Sequence, residues 1–322
     1  MNAPVASRRP RVNALTVDVE DYFQVWALSP YVPRSQWDAT PARVERNVDL
    51  ILQLLDDAGA RATFFTLGWV AERFPQLVRR IAAAGHEVAS HGYAHGKATD
   101  LDRAAFLADI RLAKTILEDI AGTEVRGYRA PSFSIGRAND WAFDCIVEAG
   151  YRYSSSVYPI RHDHYGAPDA PRFAYRSREG LLELPITTTR LFDRNWPAGG
   201  GGYFRLMPYP VSRWLIRRVN DVDERPAIFY FHPWELDPGQ PRVPGIDAKT
   251  RFRHYLNLHQ TEHRLRRLLR DFRWDRVDHV FLGAESDPPV EESAERSEAE
   301  GLAATPGHPR RLAPRASSPG GR

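Results

Sequence analysis

The chain is poor in most features that mark a specialised class. It has one cysteine, Cys145, in 322 residues. No disulfide can form within it, which fits a reducing compartment. Cys145 lies in the apolar helical pattern WAFDCIVEAG and is expected in the core rather than as a nucleophile. The net charge is only +3, and no basic stripe with interleaved aromatics occurs, so nucleic acid is not an expected partner. No apolar run reaches the ~18 residues of a membrane span. No apolar stretch precedes the first predicted strand, so no secretory signal is read and the expected location is the cytoplasm. The glycine run of PAGGGGYFRLMPYP lacks the Lys-Ser/Thr of a phosphate loop.

What is present fits a globular α/β protein. Hydrophobic residues make up 43% of the chain and aromatics 11%. Short β-rich runs alternate with helical patterns. NALTVDVE, RATFFTLG, HEVASHG, VRGYRAP, YRYSSSVYP, GLLELPI and AIFYFHPW read as strands, with DHVFLGA as a closing one. The segments between them carry apolar residues at helical spacing and several end in glycine. Six or seven such units imply a parallel sheet with outer helices and a barrel-like closure. One long helix is expected over 247–273. Residues 157–226 read as inserted loops, in which the glycine run is a flexible, substrate-facing segment and Tyr203 and Arg205 suit sugar or phosphate contact. Residues 285–322 are acidic, then rich in Arg, Pro and Ser, and are expected to be disordered.

Polar residues fall at the predicted strand ends: Asp18, Glu20, His91, Arg129 and His232. In a β/α barrel such ends converge on one mouth. Asp18 and Glu20, two apart on a strand, face one side. Asp21 faces away unless the strand has ended. His91 and His95, four apart, can reach one ion if the segment turns helically. Two histidines and a carboxylate, with a carboxylate to spare, would bind a divalent metal and leave a base for its water. His232 suits a general acid. Arg129 would pair with a carboxylate.

These pieces, in this order, resemble the NodB-homology polysaccharide deacetylases, carbohydrate esterase family 4. TVDVED stands where that family has Thr-Phe-Asp-Asp. SHGYAH is similar to its His-Ser/Thr-x-x-x-His class of motif, with Gly92 in the Ser/Thr position. YRAPSF resembles Arg-x-Pro-aromatic, with one extra residue before Phe133, and FYFH resembles the late apolar-x-His motif. The fourth motif, which normally carries aspartate, reads YRYSSSVYP.

The resemblance implies a distorted (β/α) barrel over residues 12–284 and metal-assisted removal of N-acetyl groups from a carbohydrate. It implies Asp18 as base, His232 as acid and Arg129 as the residue orienting the base. The implied metal ligands are His91, His95 and Glu20, with Asp21 the fallback for Glu20 and zinc the first choice of divalent metal. Pro131 and Ser132 would sit at the substrate, with a backbone N–H near Ser132 serving the oxyanion. DVEDYFQV, GGGGYFR and RFRHYLNL resemble a narrower group, encoded with exosortase and exopolysaccharide loci of Gram-negative bacteria. That likeness implies exopolysaccharide or its precursor as substrate, and peripheral association with membrane-bound assembly machinery. Two other functions compete: a C–N hydrolase of a small cyclic amide or ureide, and a non-catalytic carbohydrate-binding scaffold.

Overall fold

The structure, a computed structural model, describes residues 11–163 and 166–283. The tail expected to be disordered, 285–322, lies outside the described residues.

The strands are β1 (Val12–Val19), β2 (Thr63–Thr66), β3 (Glu87–Ser90), β4 (Gly127–Tyr128), β5 (Tyr153–Ser154), β6 (Tyr175–Arg176), β7 (Leu182–Glu183), β8 (Thr188–Leu191), β9 (Arg194–Pro197), β10 (Ile228–Phe231) and β11 (Arg273–Asp275). The helices are α1 (Val44–Asp57), α2 (Gly68–Arg73), α3 (Pro75–Ala83), α4 (Arg103–Ala121), α5 (Trp141–Glu148), α6 (Gly201–Leu206), α7 (Tyr209–Asp221), α8 (Ala248–Tyr255), α9 (Leu258–Asp271) and α10 (Val277–Phe281). The main sheet runs β10-β1-β2-β3-β4-β5-β7-β6, with β11 beside the start of β1. All its pairings are parallel except β6 with β7. It is a curled sheet clothed in helices, as the β-α alternation implied.

Strand parity divides the interior in two. On β1, Leu15, Val17 and Val19 pack outward into the core beneath the helices, while Ala14 joins a second, inner cluster. On β10, Phe229 and Phe231 face outward, and Ile228 and Tyr230 inward. Phe64 and Val88 face outward, Phe65 and Ala89 inward. Side chains alternate along a strand, so Asp18, His91 and His232 continue the inner set at the strand ends. Arg129 continues it past Gly127. A Cβ at Gly127 would lie 2.1 Å from the Tyr153 ring, so only glycine fits that narrow inner wall.

Three expectations change. DHVFLGA is not the closing strand: Val277 and Phe281, four apart and both buried, belong to α10, and β11 just before it pairs with β1. The helix expected over 247–273 is two helices, α8 and α9, because Asn257 adopts the left-handed region at φ +52°. The 157–226 insertion contains α6, α7 and the β8–β9 hairpin, and its glycine run is for the most part packed rather than loose. Gly199, Gly200 and Gly201 are buried. Ala198 N–H donates to Thr187 O (3.0 Å), and Tyr230 N–H to Gly199 O (2.8 Å). The run therefore lines the seam between the β7 side of the sheet and β10. A Cβ at Gly199 would sit 2.2 Å from Ile228 O, so side chains there would prise the seam apart.

Candidate active site

Four strand ends and one loop bring the expected residues together. Asp18 and Glu20 leave β1, where Glu20 N–H donates to Asp18 O (3.0 Å) and tightens the chain. His91 follows β3 and His95 returns to it. The segment between them is not helical. Gly92 takes φ +74° and His95 φ +57°. Asp109 Oδ2, from α4, accepts from Tyr93 N–H (2.9 Å), and Gly68 N–H donates to Gly92 O (2.9 Å). This pinned turn, rather than a helical one, sets the imidazoles 5.3 Å apart.

Glu20, His91 and His95 each present a ligand atom within 4.8 Å of the others. His95 Nε2 lies 2.8 Å from Glu20 Oε2, a buried contact of ring nitrogen and carboxylate. A carboxylate oxygen and two ring nitrogens converging on one point suit a shared cation. Burial lowers the His91 ring to about 4, only partly offset by Asp18, so it is a neutral ligand. Its Nδ1 faces Arg129 O at 2.8 Å, which leaves Nε2 for the site. Burial pushes the Glu20 carboxyl up, but His95 and His232 outweigh it and leave it at about 2. The indole N–H of Trp234 donates to Glu20 Oε1 (3.1 Å) and fixes the carboxylate plane. The donor set fits a divalent metal.

Asp18 is held separately. Arg129, fully buried, bonds Asp18 Oδ1 at 2.5 Å, Thr16 Oγ1 at 2.8 Å, and Ser155 O and Oγ at 3.1 and 2.9 Å. Its guanidinium lies 4.1 Å over the Phe65 ring. Asp18 Oδ2 is left facing the cleft, 4.0 Å from His232 Nε2, which is also 3.6 Å from Glu20 Oε1. Burial alone would lower His232, but the carboxylates of Glu20, Glu235 and Asp18 raise it to about 9. Pro131 is buried beside the Gly92 turn, and Ser132 and Phe133 take φ +55° and +47°. Consecutive left-handed non-glycine residues are strained and are found where a site demands them.

Some residues are placed elsewhere. Asp21 is an N-terminal cap: its carboxylate accepts from Tyr22 N–H (2.8 Å), Arg43 N–H (2.6 Å) and Val44 N–H (2.9 Å) at the start of α1. Asp21→Ala should therefore lower stability by roughly 3 kcal/mol through orphaned buried donors while leaving metal content unchanged. Chemical denaturation and metal analysis of the variant check this. Tyr203 is half-buried against the inner cluster. Arg205 is buried, with donors committed to Glu235 and to the carbonyls of Arg253, His254 and Leu256. It holds protein rather than sugar. Sequence reasoning passed over Trp234 and Glu235, although both lie in the HPWE turn that follows the expected acid.

The curled β/α sheet thus gathers a His-His-carboxylate set, an arginine-held aspartate and a histidine at its mouth. Residues 35–154 match the family described as "Polysaccharide deacetylase", and residues 155–282 match "Domain of unknown function (DUF3473)". The first of these segments is thus similar to the polysaccharide deacetylases and the second to a domain of unknown function that follows it in this chain. A peptidoglycan-N-acetylglucosamine deacetylase of Bacillus cereus is 36% identical over 81 residues, 25% of this chain and 30% of that protein. A chitooligosaccharide deacetylase of Rhizobium leguminosarum bv. trifolii is 43% identical over 61 residues, 19% of this chain and 28% of that protein. The chain spans about a third of the length of the curated relatives it matches. A crystal structure of a Mycobacterium smegmatis protein assigned to the polysaccharide deacetylases shares the fold, with a TM-score of 0.52, 21% identity and 98% and 99% of the two chains covered.

Proposed function

We propose that the protein hydrolyses N-acetyl groups of amino sugars in a carbohydrate polymer or its precursor, using one divalent metal, zinc by first choice. The observation that carries this is the convergence of Glu20, His91 and His95, with ligand atoms within 4.8 Å of one another, beside Asp18 Oδ2 at 4.0 Å from His232 Nε2. Glu20, His91 and His95 would hold the metal. When bound, it supplies a Lewis acid for the acetamide oxygen and acidifies a water.

The chain's own residues do the rest. Asp18, fixed by Arg129 through Oδ1, takes the water's proton on Oδ2. The backbone at Ser132, bent into the left-handed region, offers an N–H to the developing oxyanion. His232 Nε2 gives a proton to the departing amine. Acetate and a free amino sugar result.

Exopolysaccharide as the polymer, and a place beside membrane-bound assembly machinery, are part of the proposal. They rest on the likeness of DVEDYFQV, GGGGYFR and RFRHYLNL alone. The cytoplasm is the compartment assumed, on the lone buried Cys145.

Acetate release from N-acetylglucosamine oligomers, with and without chelator, tests the reading, together with metal content. About one metal per chain and chelator-sensitive acetate are expected. No metal and no acetate after zinc addition would overturn it.

A further inference from the structure

The fully buried carboxylate of Glu235 has no part in the chemistry described so far. It lies in the short turn Pro233–Leu236 that follows β10. Glu235 is 1% exposed and Arg205 3%. Arg205 Nε donates to Glu235 Oε1 at 2.8 Å. The other oxygen, Oε2, accepts from His232 N–H at 2.9 Å and lies 3.2 Å from His232 Nδ1. Burying such a set is costly, and replacing it by apolar groups is often neutral or stabilising. Its presence therefore calls for a reason other than stability.

The surroundings are built around this carboxylate. A Cβ on Gly201 would lie 2.0 Å from Glu235 Oε2, so α6 can approach only as glycine. The remaining Arg205 donors reach His254 O (2.9 Å), Leu256 O (2.8 Å) and Arg253 O (3.2 Å), where α8 breaks into α9. His254 stacks on Trp234 at 4.3 Å, and Trp234 stacks on His232 at 5.3 Å. The GGGGYFR and RFRHYLNL segments thus meet on one turn, and that turn carries the acid.

We propose that Glu235, gripped by Arg205, is the positioning residue of the leaving-group acid: it engages His232 through Nδ1, so that Nε2 is the ring atom presented to substrate. The inference rests on the deacetylase reading and deepens it. It gives the DUF3473 segment a task, since Arg205, His232 and Glu235 all lie within 155–282. The alternative is a cap that merely closes the turn through His232 N–H.

Leaving-group dependence separates the two. An acid is needed to expel an amine but not a nitrophenolate. In the full metal-loaded chain, Glu235→Gln should lower kcat on N-acetylglucosamine oligomers by ~100-fold with little change in KM. The loss on 4-nitrophenyl acetate should be at least about ten-fold smaller, and Glu235→Asp should recover part of the oligomer rate. Proton NMR of wild type should show a low-field His232 Nδ1–H signal, lost or moved upfield in Glu235→Gln. Parallel losses on both substrates, no loss on either, or a wild-type Nδ1 without a bonded proton would overturn the inference. Wild-type inactivity on the oligomers would instead overturn the deacetylase reading, while the NMR signal still decides the Glu235–His232 contact.

Discussion

Asp18→Asn should abolish acetate release, by ~1,000-fold or more, while the purified variant keeps its metal. Two effects compete in this substitution. Asparagine removes the charge opposite Arg129, which is fully buried, and an uncompensated buried cation costs about 3–5 kcal/mol. Asparagine still offers an oxygen to the guanidinium, and Ser155 and Phe65 keep it in place. Stability should therefore fall without loss of fold, whereas the proposed proton acceptor is gone. Glu20 is turned toward His95 and Trp234, away from that task. Metal content, thermal unfolding and acetate release on one preparation separate the outcomes. Retained turnover would remove Asp18 from the mechanism.

His95→Ala should strip the metal. His95 Nε2 is the ring atom closest to Glu20, and its left-handed backbone exists to bring it there. Losing an inner ligand should weaken binding by more than the 10–100-fold that outer partners typically cost. Glu20 then loses a neighbour that lowers it, and burial raises it. Turnover should vanish with the metal and return in part at high zinc, as metal-titrated acetate release would show. His91→Ala should do the same and also free Arg129 O from its ring partner. Full activity of either variant in chelator would sink the metal reading.

The sequence made much of this legible, and the reasons are physical. Strand periodicity is 2, so an apolar run ending in Asp18, His91 or His232 fixes which way the next polar residue points. Arg129 could be paired with a carboxylate because an arginine at a strand end needs one. The misses have causes as well. His91 and His95 converge through two left-handed residues and an Asp109 contact from α4, none of which spacing records. Asp21 and Glu20 are neighbours of one charge; only the approach of α1 separates a cap from a ligand. GGGGYFR reads as a loop because glycine signals freedom, whereas here it signals close approach to Ile228, Tyr230 and Glu235. Glu235 was within reach: a carboxylate three residues after a histidine, across a proline-led turn, can fold back to cap it.

The pairing of β1 with β10 also bears on how the site comes into being. Glu20, His91 and His95 have all left the ribosome long before Ile228–Phe231 can settle against Ala14–Val17. At ~5–20 residues per second the interval is on the order of ten seconds. A nascent chain can thus gather its metal ligands well before it owns a proton donor. β10, synthesised late and followed only by β11 among the described strands, flanks β1 and delivers His232. On the proposed mechanism, hydrolytic competence is in this way deferred until β10 is in place.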